Sequence, residues 1–138
     1  MKKQLFCIGM GLLFALPANA VNKALDGQAI FNKNCSVCHS VNPPPKLAPP
    51  IIPLASRYHQ AFKTKQEGVK HIAAYLKAPK KQDAIDQQAI TRFGLMPPMA
   101  LPEAEMNAVA GWVWDQYNPN MGMGRGFGGQ GMGRMRSN

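Results

Sequence analysis

The sequence predicts an all-α domain of about four helices, and three observations carry the prediction. Apolar residues recur at three- and four-residue spacing in several separate windows, as one face of a helix requires. No stretch alternates strictly between apolar and polar residues, as a half-buried strand would. The prolines fall mostly between the periodic windows, so they punctuate the pattern and do not interrupt it.

Residues 25–38 form the first expected helix, with Asp26 near its start and Ile30, Phe31 and Cys35 along one side. Pro43-Pro44-Pro45 and Pro49-Pro50 then forbid regular helix or central strand through residues 43–53. That loop is too apolar to hang free, so it must lie against something. Residues 57–62 read as a short helical turn. Thr64-Lys65-Gln66-Glu67 has the pattern of a capping box, in which the two side chains satisfy each other's free backbone N–H groups. Val69, Ile72, Ala73 and Leu76 follow as one apolar face, and Pro79 ends that helix. Residues 84–91 read as another short helix. Gly94-Leu95-Met96-Pro97-Pro98-Met99 is a loop. Pro102 opens the last helix, and Glu103 and Glu105 suit its positive end. Met106, Val109, Ala110, Trp112 and Val113 make its apolar side, and Pro119 stops it.

Both termini differ in kind from this middle part. Residues 1–20 have a basic start (Lys2, Lys3), an apolar run, and then Ala18-Asn19-Ala20, a small-x-small cleavage site. This is the pattern of a secretory signal peptide, cleaved after Ala20, and it predicts a periplasmic protein. The apolar run is short beside the roughly 20 residues a bilayer span needs. Cys7 leaves with the signal. Of the twenty residues 119–138, seven are Gly, four are Met and three are Arg. Such a tail buries too little to offset its ordering entropy and is expected to be disordered. Its methionines suit cuprous ion, and its arginines suit an anionic surface. The domain expected between these ends is residues 21–118. The formal charge of +9 falls to +7 without Lys2 and Lys3, and to +4 without the tail arginines. A basic domain favours anionic partners.

Cys35-Ser36-Val37-Cys38-His39 carries the chemistry. A C-x-x-C-H run reads as a c-type haem attachment site. Its two thiols add to the vinyl groups on neighbouring pyrrole edges, and the next residue supplies an imidazole to the iron. A structural zinc site would need four ligands, and no other cysteine remains in the mature chain. A thioredoxin-like dithiol would want a strand and a sheet. A plain disulfide, the usual state of paired cysteines in an exported protein, has no use for His39. A thin core with few aromatics also has room for a large apolar prosthetic group.

The sixth iron position has several candidates. Met96 sits in a Gly/Pro-bounded loop ahead of the last helix, and Met99 is its rival. Met106 has core spacing. His59 and His71 would make a bis-histidine site, although His59 lies in a polar turn. His71 lies off the apolar face of its helix and reads as solvated.

These residues resemble the class I c-type cytochromes, the small monohaem electron carriers. Gly27-x-x-x-Phe31-x-x-x-Cys35 is similar to the family's N-terminal helix, where the glycine permits a close crossing with a C-terminal helix whose aromatic is here Trp112. Ala48-Pro49 stands where the family places a proline whose carbonyl accepts the Nδ1–H of the proximal histidine. Leu95-Met96-Pro97-Pro98, followed by Pro102-Glu103-Ala104-Glu105, is similar to the distal-methionine segment. The likeness runs through residues 24–118. It implies an all-α cytochrome c domain, about four helices wrapped around one covalently bound haem c and its iron. Cys35 and Cys38 would bond the haem, His39 and Met96 would ligate iron, and Pro49 would orient His39. The helix over residues 65–78 would cover one haem edge, and Arg57, Tyr58 and Arg92 are candidates for propionate contacts.

The implied function is one-electron transfer between exported or membrane redox partners, without enzymatic activity. A labile sixth ligand would instead make a haem-based catalyst or ligand sensor, and a cytochrome subunit of a larger oxidoreductase is a further alternative. The expected partners are redox proteins with acidic docking surfaces. Neither nucleic acid nor a transmembrane segment in the mature chain is expected. Lys70 and Lys77, seven apart, share one helix face, with Lys63, Lys65, Lys80 and Lys81 flanking it.

Overall fold

Five α-helices run in the order α1 (Gly27–Asn34), α2 (Ile51–Ala61), α3 (Lys65–Lys77), α4 (Gln87–Phe93) and α5 (Glu103–Asp115). Two 3-10 turns, Lys81–Asp83 and Pro119–Met121, complete them, and no strand occurs among the described residues. This computed structural model describes residues 24–121. The expected signal segment and all but the first three residues of the expected tail lie outside the described residues.

The all-α expectation holds, with one helix more than expected. Local capping explains most boundaries. Asp26 caps α1, its Oδ1 accepting from the N–H groups of Gln28 at 2.9 Å and Ala29 at 3.1 Å. The helix ends at Asn34, short of Cys38, and residues 35–38 continue as a turn. Polar side chains take its last carbonyls: Asn34 Nδ2 donates to Ile30 O and Ser36 Oγ to Asn32 O. The capping box of α3 forms as expected, with Thr64 and Glu67 each accepting from the other's backbone N–H. Asp86 caps α4 and sets its start later than residue 84, and Gly94, at φ +82°, ends it.

Helix α2 corrects the sequence reading. Residues 51–53 were expected to be barred from helix by the surrounding prolines. Pro53 falls instead in the first turn, where its missing N–H breaks no helical bond. The neighbouring free N–H groups of Ile51 and Ile52 donate to the carbonyls of Ser40 and Val41, at 2.9 and 3.1 Å. Pro119 is not the stop for α5 either. That helix ends four residues earlier at Asp115, where Gln116 N–H turns to Val113 O and its side chain takes Trp112 O.

Helix α5 is the hub, packing on α1, α2 and α3. Phe31, Ile51, Tyr58, Ile72, Val109, Ala110, Val113 and Trp114 form one buried cluster around it. Two close crossings depend on glycine. A Cβ on Gly27 would collide with the Ala108 carbonyl and with Trp112, whose ring stacks on Phe31 at 4.5 Å. A Cβ on Gly68 would collide with the buried ring of Trp114. The first crossing is the one the family resemblance implies, while the second has no counterpart in the sequence reading. Helix α4 stands apart from this hub, has no fully buried residue, and packs chiefly on the Lys81–Asp83 turn.

Candidate functional site

The helices leave an apolar cleft of about 400 Å³. One wall carries Cys35, Cys38 and His39, with the loop residues Leu47, Ala48 and Pro49 beside them. Ile72, Tyr75 and Leu76 of α3 also line it, and Val109 and Val113 of α5 reach it from the core. Ile90 and Phe93 of α4, with Met96 and Met99 after it, close the remaining face.

Backbone hydrogen bonds build the cysteine wall. After α1 the chain turns so that the Cys35 carbonyl accepts from the N–H groups of Cys38 and His39, at 3.1 and 2.9 Å. The Cys38 carbonyl then accepts from Leu47 and Ala48, and Lys46 Nζ donates to Ser36 O at 2.8 Å. These bonds draw the proline-rich loop beneath the turn, which places the Pro49 carbonyl 2.7 Å from His39 Nδ1. A carbonyl oxygen can only accept, so Nδ1 holds the proton and Nε2 keeps a free lone pair. Burial holds the imidazole below its usual pKa, and the Pro49 bond works against that shift. Burial, and then the neighbouring Cys38, push the Cys35 thiol up. No disulfide joins Cys35 and Cys38.

Of the candidate sixth ligands, both Met96 and Met99 line the cleft. The Met99 backbone N–H is also tied to Leu76 O at 2.8 Å. Neither histidine candidate lines it. His59 stacks on Trp114 at 3.8 Å and on Tyr117 at 4.2 Å, and its Nε2 donates to the Trp114 carbonyl. His71 is half-buried beside Tyr58 and Phe62, with a buried, unpartnered Nδ1, so the solvated reading is corrected. Met106 is buried, as its spacing suggests.

Of the three propionate candidates, Tyr58 alone lines the cleft. Burial, with Tyr75 as a second cause, pushes its phenol far above the ordinary range. Arg57 pairs instead with Asp86, and Arg92 lies over the Phe93 ring. Among the cleft residues that sequence reasoning missed are Tyr75 and Asp86. Tyr75 was within reach, since it stands three residues from Ile72 on the same helix. Asp86 carried the signal of a helix cap and none of a site.

The cleft fits a haem. Its volume lies in the range of prosthetic-group sites, about 300–1,000 Å³, and its lining is mostly apolar. Two thiols and an imidazole with a free Nε2 stand on one wall, and thioethers stand on another. No group of three or more His, Cys, Asp or Glu able to hold a metal ion occurs among the described residues.

An all-helical domain with a C-x-x-C-H turn on the wall of such a cleft has the architecture of a c-type haem protein. The family model described as cytochrome c matches residues 24–116, and the chain belongs to that family. Searches of curated proteins and of solved structures found no match. The cofactor is a covalently bound haem c with its iron, and the protein is a haem-based electron carrier that serves redox partners. No helix among the described residues is long and apolar enough to cross a membrane.

Proposed function

We propose that Cys35 and Cys38 bond the haem vinyl groups, that His39 and Met96 ligate the iron, and that the protein shuttles single electrons in the periplasm. Residues 1–20 would direct export and be removed, and acidic surfaces on the redox partners would meet the basic domain. Haem supplies a one-electron ferric/ferrous couple, and His/Met ligation favours a high potential.

The observation that carries the reading is the Nδ1 bond of His39 to Pro49. It fixes the tautomer, fixes the ring and leaves Nε2 as the donor. Pro49, held by the turn above it, is the positioning residue. The apolar side chains of α3 and α5 exclude water from the buried side of the group. Tyr58 and Tyr75 offer hydroxyls to its propionates. A carrier is favoured over a catalyst because Asp86 is the only carboxylate on the cleft among the described residues. It is already engaged by Arg57 and by the N-terminus of α4. General acid–base chemistry needs a group free to move a proton.

Two measurements on the purified protein test the proposal. Haem staining should follow the polypeptide through denaturing electrophoresis, and a Cys35→Ser, Cys38→Ser double variant should lose it. The ferric protein should show the weak far-red band of methionine–iron bonding, abolished by Met96→Ala and retained in Met99→Ala. The opposite pattern would move the ligand to Met99. A ferric parent that lacks the band would remove methionine from the site.

A further inference from the structure

The segment that carries Met96 is poorly anchored by packing. Helix α4 buries no residue fully and leans chiefly on the small turn before it. Ile85 packs against the core cluster, while the other apolar side chains of this segment that line the cleft, Ile90, Phe93 and Met96 among them, would have the haem as their main apolar partner. Among the described residues, two polar links join residues 79–100 to the rest of the domain. Met99 N–H donates to Leu76 O just beyond Met96, and Arg57 Nε donates to Asp86 Oδ2 at 2.8 Å, ahead of α4.

The second link joins two functions in one carboxylate. Asp86 Oδ1 accepts from the N–H groups of Gln88 and Ala89, at 3.0 and 3.2 Å, and so orients the start of α4. Oδ2 takes the guanidinium of α2, the helix that also places Tyr58 on the cleft. The Asp86 side chain is 15% exposed and Arg57 44%, so the carboxylate sits shielded at the cleft rim. A charge-assisted bond in such a setting is stronger than a surface pair, though the half-exposed arginine tempers it.

We infer that the Arg57–Asp86 pair is a latch that positions the Met96 segment and limits release of the sixth ligand. The inference rests on the proposed ligation by Met96. An outside ligand can reach the iron only after Met96 has left it. Its apparent affinity therefore scales with the population of the open segment. If opening swings α4 away from α2, loss of the pair raises that population.

The test is imidazole titration of the ferric holoprotein, with the far-red band recorded in each sample. Arg57→Leu removes the guanidinium. Asp86→Asn removes the charge while keeping a good helix cap, since Asn caps as well as Asp. Each should raise imidazole affinity about tenfold, equivalent to about 1.4 kcal/mol. The double variant should rise no further than either single one, because both remove the same interaction. Arg57→Lys, which can still reach the carboxylate, should stay near the parent. The latch is overturned if the variants lose thermal stability but bind imidazole like the parent, or if their effects simply add. A parent without the far-red band would instead overturn methionine ligation, and the latch with it.

Discussion

Gly68→Ala tests the packing of the hub. In a helix interior, exchanging glycine for alanine ordinarily stabilises by about 1 kcal/mol. Here the new methyl would meet the Trp114 ring, inside van der Waals contact. The ring has little room to retreat. It is only 6% exposed, it stacks on His59 at 3.8 Å, and the carbonyl of the same residue accepts from His59 Nε2. Overpacking costs about 1–3 kcal/mol, and a collision this direct with a pinned ring belongs at the upper end. Subtracting the propensity gain leaves a net loss of about 2 kcal/mol. For a domain of roughly 100 residues that lowers the thermal midpoint by about 10 °C. Gly111→Ala is the matched control. Gly111 lies inside α5 with nothing within 4 Å of a Cβ placed there, so the same exchange should raise the midpoint by about 4 °C or more. Thermal unfolding of the holoprotein, followed by far-UV circular dichroism, measures both. A Gly68→Ala protein as stable as the parent would refute the steric argument, as would equal losses in the two variants.

Two further outcomes are expected. Asp26→Ala leaves the N–H groups of Gln28 and Ala29 without their carboxylate and should cost about 1 kcal/mol, whereas Asp26→Asn should cost little. Urea midpoints read both, and equal losses would exclude capping as the cause. Lys70 and Lys77 line one groove between α3 and the start of α5, together with Glu103. Changing both lysines to Gln should slow association with an acidic redox partner several-fold at low salt, with the difference vanishing as salt rises. A parent rate that ignores ionic strength would end the steering argument.

What the sequence made legible was local. The box of Thr64 and Glu67 and the apolar face through Ile72 and Leu76 lie within one helix, so α3 could be read almost to the residue. C-x-x-C-H was legible for the same reason, since its chemistry needs only adjacent residues. Helix α2 was not legible. Its N-terminal N–H groups are satisfied by the carbonyls of Ser40 and Val41, each eleven residues away, and no side chain marks the cap. The proline pattern therefore spoke louder than it should have. Pro53 is harmless in a first turn and prohibitive later, and the sequence alone does not say where the turn begins.

The same distinction separates the two residues that position the proposed axial ligands. Pro49 was named through resemblance, because its distance from the C-x-x-C-H run is short and the loop between them is drawn in by the Lys46 side chain on the Ser36 carbonyl and by backbone bonds to Cys38. Asp86 had no such route. Its partner Arg57 lies on another helix, and each residue alone has an ordinary reading, a helix cap and a surface cation. Only the folded chain brings the guanidinium to the second carboxylate oxygen. The proximal side is held by a neutral bond from a half-buried ring to backbone. The distal side is held by a charged pair at the rim together with one backbone bond. Salt screens a charged pair at the rim and leaves a neutral bond untouched. Release of the distal ligand should therefore respond to ionic strength, while the proximal ligand should not.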